Sequence, residues 1–112
     1  MYNDAIFVDT ELRTSTRTFR THRALLSARS PVFRKMFSHD MKEKNIGIID
    51  ITDLDNDSVH RMLLYIYTDS LKDLQIENAS KLYEAAEKYE ILSLKSRCSF
   101  FLKKKFVPDQ SL

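Results

Sequence analysis

Residues 22 to 37 read HRALLSARSPVFRKMF, and this stretch decides how the chain is built. Arg23 to Arg29 suits a short helix with Leu25 and Leu26 as its apolar pair. His22 stands where a residue either caps that helix or packs at its start. Ser30-Pro31 then marks a fresh helix start. A serine hydroxyl accepts from the free N–H groups of a first turn, and proline has no N–H to leave unpaired there. Val32, Phe33, Met36 and Phe37 follow at steps of three and four, the spacing of one helical face. The stretch therefore predicts two short helices in tandem, broken at Ser-Pro.

Upstream, residues 1 to 8 (MYNDAIFV) form a short, partly apolar lead-in. Residues 9 to 22 (DTELRTSTRTFRTH) are rich in Thr, which favours strand. Leu12 and Phe19 are the apolar anchors of an expected hairpin that turns between Arg13 and Arg17. No Asn-Gly pair is present to define the turn type.

Downstream, His39 to Asn45 (HDMKEKN) reads as a polar connection with Met41 as its one large apolar side chain. The β-branched run Ile46 to Ile51 predicts a buried strand. Asp53, Asp55 and Asp57 crowd the next boundary, where a carboxylate caps a helix and complements its positive end. Val59, Met62, Leu63, Ile66 and Tyr67 then form a helical stripe. Residues 69 to 75 link it to a helix over Ile76 to Tyr89, with Leu82, Ala85, Ala86 and Tyr89 on one face. A last helix over Ile91 to Lys105 carries Leu94, Cys98, Phe101 and Leu102. Lys103 to Lys105 place positive charge at its negative end, and Pro108 limits its extension. Hairpin, helix pair, strand and then helices make an α+β domain.

Composition narrows the function classes. The 112 residues are 43% hydrophobic and 30% charged, with 18 Lys+Arg against 16 Asp+Glu, which is globular rather than disordered. Cys98 is the single cysteine, so no internal disulfide forms; one thiol and no signal-peptide pattern fit a reducing interior. Gly47 is the single glycine, and phosphate cradles and dinucleotide turns need several. His22, His39 and His60 share no helical turn and have no Cys pair nearby, so no metal site is expected. No nucleophile–base arrangement assembles, so no enzyme and no cofactor are expected. Met62 to Thr68 is the longest uncharged apolar run, too short to span a membrane. Charges of both signs are interspersed, so neither nucleic acid nor membrane is an expected partner. On Cys98 the default is a small buried hydrophobe.

Several segments together resemble the BTB/POZ domain. HRALLSARSPVFRKMF does so, as do ITDLDNDSVHRMLLYIYTDSL and KLYEAAEKYEILSLKSRC. The family's opening Asp, apolar residue and His match Asp9, Phe19 and His22. Its A-R-S-P-x-F-x-x-M-F matches Ala28 to Phe37, its Y-I-Y-T matches Tyr65 to Thr68, and its A-A-x-K-Y with a later Cys matches Ala85 to Tyr89 and Cys98. The look is that of the speckle-type POZ group, with MATH-BTB proteins of arthropod type. The resemblance implies a BTB/POZ fold over residues 1 to 106, a small, mainly hairpin-based sheet flanked by a cluster of helices. Residues 107 to 112 are then a tail.

The resemblance also implies a role. Domains of this type are interaction modules that recruit the cullin scaffold of a RING ubiquitin ligase, in nucleus or cytoplasm, while a separate MATH domain supplies the target. The family's hydrophobic-x-Glu motif falls on Met41-Lys42-Glu43. A thioether suits a shallow apolar pocket; the alternative is that Met41 folds back onto its own core. Phe37, Tyr65 and Tyr67 are aromatic candidates for the same face, against the alternative that aromatic residues at helical spacing are core, which is the stronger reading for Tyr65; Tyr89 falls at a family position near the cullin face. For dimer contacts the resemblance points to Met1, Tyr2 and Leu25, in a homodimer or a heterodimer with other BTB proteins. Most of the family's first dimer helix has no counterpart here, so weakened or altered dimerisation is expected. A self-association domain without a ligase role, or a competitor of full-length adaptors, are the other readings.

Overall fold

The computed structural model describes residues 7–40 and 47–106, with the side chains of residues 39, 40 and 106 left aside. Three strands and five helices follow in the order β1 (Thr10–Arg13), β2 (Thr18–Thr21), α1 (Arg23–Arg29), α2 (Pro31–Asp40), β3 (Ile48–Asp50), α3 (Asn56–Thr68), α4 (Ile76–Lys88) and α5 (Leu92–Phe106). Among the described residues no helix is long and apolar enough to cross a membrane.

β1 lies at the centre of the sheet, whose order is β2-β1-β3. It pairs antiparallel with β2, placing Leu12 opposite Phe19, and parallel with β3, placing Leu12 opposite Ile49. Thr10, Leu12, Phe19 and Thr21 alternate inward and are buried, while Arg13, Thr18 and Arg20 face solvent. The turn needs no glycine because the Thr14 hydroxyl organises it. That oxygen accepts from the Arg17 N–H at 3.0 Å, and the Thr14 N–H donates to the Arg17 carbonyl at 2.8 Å.

β3 corrects the expectation of a buried strand. It spans three residues, Ile48 is 44% exposed, and only Ile49 and Ile51 turn inward. The reason is the sidedness of the sheet: successive side chains point to opposite faces, one against the core and one toward water, as they also do in β1. An Ile-rich run reads alike whether one or both faces of its sheet are covered. Ile46 lies outside the described residues. α2 also reaches Asp40, two residues into the expected polar connection.

The helix boundaries follow side-chain chemistry. The Asp55 carboxylate accepts from the Ser58 N–H at 2.8 Å and caps α3. Asp57 sits in the first turn and pairs with Arg61 one turn on, at 2.8 Å. α3 ends at Asp69, whose φ of 60° is left-handed. At α1 the second expectation for His22 holds: its side chain makes no capping bond. The Arg23 N–H donates to the Asp9 carboxylate at 2.8 Å, and His22 packs instead, 6% exposed.

The core gathers Leu12 and Phe19 of the sheet, Leu26, Phe33 and Phe37 of α1 and α2, the α3 stripe, and Leu82, Ala85, Ala86, Leu94 and Cys98 of α4 and α5. Of the stripe, Val59, Met62, Leu63 and Ile66 are buried and Tyr67 is half-buried.

Candidate interaction surface

α2 is fastened at its start. The buried Ser30 hydroxyl accepts from the Phe33 N–H at 3.0 Å and donates to the Tyr89 carbonyl at 2.6 Å. One side chain therefore caps α2 and ties it to the end of α4. The sequence predicts the cap; the tie spans 59 positions and leaves no local signal. The Phe33 ring stacks on Tyr89 with centroids 4.4 Å apart, and on Phe37 at 6.2 Å. This three-ring stack fixes the inner side of α2. Its outer side presents Pro31, Arg34, Lys35 and Ser38 along a shallow, basic groove.

The chain is fastened again at Gly47. Its carbonyl accepts from the Glu11 N–H at 2.6 Å and from the Thr10 hydroxyl at 3.2 Å. The described chain is thus held on both sides of residues 41–46, by the aromatic stack of α2 and by the two hydrogen bonds to the Gly47 carbonyl.

The expected site residues separate into groups. Met41 and Glu43 lie outside the described residues, as do Met1 and Tyr2. Phe37 and Tyr89 are brought together through Phe33, but inside: they are 6% and 1% exposed. Their rings support the surface from beneath and offer a partner little area. Burial, the largest influence, raises the Tyr89 phenol above its usual range. Tyr67 is committed elsewhere, because its hydroxyl accepts from the His22 N–H at 2.9 Å and lies 2.7 Å from His22 Nδ1. That contact gives His22 a structural task at the strand–helix junction. Leu25 is half-buried on α1, packed against the core with part of its side chain in solvent.

Sequence reasoning missed two exposed apolar side chains on α5, Leu92 and Phe100. The signal was available: they lie eight positions apart, on the side opposite Leu94 and Cys98.

Electrostatics here is that of a solvated surface. Asp53 pairs with Lys88, Asp55 with Lys81, and Arg29 and Arg97 both reach Asp69. The Lys88 hydrogen bond holds Asp53 below the usual carboxylate range, and the hydrogen bonds from Ser58 do the same for Asp55. Burial pushes the Cys98 thiol up to about 11, so it stays protonated at neutral pH. Among the described residues no cluster of His, Cys, Asp or Glu is arranged to hold a metal ion.

Known proteins place this architecture. The family model of the BTB/POZ domain matches residues 1–106. A BTB/POZ domain-containing protein of Arabidopsis thaliana is 39% identical over 102 residues, covering 91% of this chain and 31% of that protein. TD and POZ domain-containing protein 3 of Mus musculus is 38% identical over 99 residues, covering 88% and 27%. BTB and MATH domain-containing protein 42 of Caenorhabditis elegans is 36% identical over 100 residues, covering 88% and 24%. The chain thus spans between 24% and 31% of these relatives' lengths. Among solved structures, the BTB domain of zebrafish PATZ1 superposes with a TM-score of 0.76 at 23% identity, covering 88% of this chain and 77% of that one. The hairpin, the Ser30-Pro31 helix start, the α3 stripe and these matches lead to one conclusion: the chain belongs to the BTB/POZ domain family.

Proposed function

We propose that this BTB/POZ chain is the cullin-binding module of a substrate adaptor for a RING ubiquitin ligase, of speckle-type POZ kind, working in nucleus or cytoplasm. The BTB/POZ domain is a protein–protein interaction module, and that much holds for the family. One observation carries the finer reading. The described residues on either side of Met41-Lys42-Glu43 are held, α2 by its ring stack and Gly47 by two hydrogen bonds to its carbonyl. Anchored ends reduce the ordering cost a short recognition segment incurs on binding. In this reading Met41 enters an apolar pocket of the cullin and Glu43 pairs with a donor beside it. Phe37 and Tyr89 pack with Phe33 beneath α2, and Tyr67 supports the fold through His22. The pairing of BTB with MATH in the name of the C. elegans relative supports the adaptor reading.

The test is a calorimetric titration of the chain with the amino-terminal domain of the cullin. Saturable binding that the Met41→Ala/Glu43→Ala variant loses, with its helical signal unchanged, supports the proposal. Binding that survives the double substitution removes those residues from the interface. A double variant that unfolds assigns them to the core.

A second reading is self-association without a ligase role. Leu25 is half-buried, and β3 shows the outer edge of the sheet with Ile48 exposed. Sedimentation at rising concentration tests it. A dimer lost on Leu25→Asp, without cullin binding, favours this reading; a monomer throughout rejects it.

A further inference from the structure

Helix α5 has two apolar sides. Leu94 and Cys98 are buried against the core, while on the opposite side Leu92 and Phe100 are 69% and 65% exposed. The two lie about 12 Å apart along the helix axis. Ser96 stands between them on the same side and leaves a notch. Phe100 forms a ridge between two clefts, one lined by Tyr83, Leu92 and Ser99, the other by Leu71, Leu74 and Phe101.

The rim of this face is positive. Lys95 and Lys103 line the first cleft and Arg97 the second, and the Lys104 ammonium lies 5.3 Å from the centre of the Phe100 ring. The helix, LSLKSRCSFFLKKKF, contains no carboxylate. Lys95 lies 3.8 Å from the Glu87 carboxylate, Arg97 donates to the Asp69 carbonyl at 2.9 Å and lies 3.9 Å from its carboxylate, and among the described residues no carboxylate pairs with Lys103 or Lys104.

Exposed Leu and Phe flanked by cations form the complement of an amphipathic helix with acidic flanks. We propose that this face docks an acidic amphipathic helix of a partner protein. Two apolar side chains of that helix fill the clefts on either side of Phe100, and Asp or Glu beside them face Lys95, Arg97, Lys103 and Lys104. A second copy of the chain is a poor occupant, because it would set one cationic α5 against another. The surface is distinct from the Met41–Glu43 segment and does not depend on a cullin role.

The test uses the full chain and a fluorescein-labelled helical peptide of about 16 residues, with Leu on one face and Glu on its flanks. Two control peptides accompany it: one of the same composition with the Leu residues scattered, and one with Lys replacing Glu. Anisotropy should show saturable binding of the Leu/Glu peptide only. Phe100→Ser and, separately, Leu92→Ser should each weaken it about tenfold with an unchanged circular dichroism spectrum. Lys95→Gln/Lys103→Gln should weaken it and flatten its salt dependence. Met41→Ala/Glu43→Ala should leave it unchanged, which separates this face from the proposed cullin contact. Equal binding of the scattered peptide, or binding indifferent to both serine variants, overturns the proposal. So does a dimer that Phe100→Ser dissociates. So does Phe100-dependent binding to phosphatidylserine vesicles in place of the peptide.

Discussion

Replacing Ser30 removes a hydroxyl that does two jobs. It accepts from the Phe33 N–H at 3.0 Å and donates to the Tyr89 carbonyl at 2.6 Å, with the residue fully buried. Loss of a helix cap typically costs about 1 kcal/mol. A buried polar group left without its partner costs about 1–3 kcal/mol. The two overlap, so Ser30→Ala should lose about 2–3 kcal/mol, several times the ~0.5 kcal/mol of an ordinary surface change. Urea unfolding followed by circular dichroism measures this as a lower midpoint at constant slope. For a domain of this size each kcal/mol lowers Tm by about 4–8 °C. Ser30→Gly separates the two jobs, because glycine replaces a cap at a cost of only a few tenths of a kcal/mol. If the tie to Tyr89 contributes, Ser30→Gly still loses about 1–2 kcal/mol. The exposed Ser38→Ala serves as the control. A Ser30→Gly variant as stable as the parent would refute the tie and leave Ser30 as a cap alone.

Four further outcomes are expected. Leu63→Asp should unfold the domain, since Leu63 is fully buried in the α3 stripe and a charge there has no partner; a soluble, native-like variant by NMR would reverse the buried face. Tyr67→Phe should cost about 1–2 kcal/mol in urea unfolding, because its hydroxyl meets both the N–H and Nδ1 of His22; an unchanged midpoint would remove that contact from the fold's support. Cys98, fully buried with its thiol pushed up to about 11, should react with a disulfide reagent at pH 8 only as fast as the chain unfolds; rapid labelling of the native chain would contradict its place in the core. Asp55 has a folded pKa below its unfolded value of 3.8, so its contribution is complete above that value and is lost as pH falls through the folded pKa. Asp55→Asn should therefore flatten the acid limb of the stability–pH curve, and an unchanged limb would count against the cap's charge.

The elements most legible in the sequence were those whose signals are local. Leu12 and Phe19 announced the hairpin and face each other across it. Ser30-Pro31 announced α2, and the spacing of Val59, Met62, Leu63 and Ile66 announced the buried side of α3. What stayed hidden depends on contacts distant in sequence. The Ile run of β3 predicts a buried strand because it does not tell whether one or both faces of the sheet are covered. The resemblance places Tyr89 near the cullin face, while its stacking on Phe33, which joins the end of α4 to α2, leaves no local signal. The sequence leaves His22 open between capping α1 and packing at its start, because the carboxylate that meets the Arg23 N–H, that of Asp9, lies 14 positions away. Leu92 and Phe100 went unremarked because one apolar side of α5 sufficed to explain its packing.

The central claim is that the chain binds the cullin through the segment between α2 and β3. Hydrogen–deuterium exchange of the chain, with and without the cullin amino-terminal domain, tests it residue by residue. The account predicts new protection concentrated in peptides covering residues 38–47, with the exchange of α5 unchanged. Protection confined to α5, or none under saturating cullin, would contradict it.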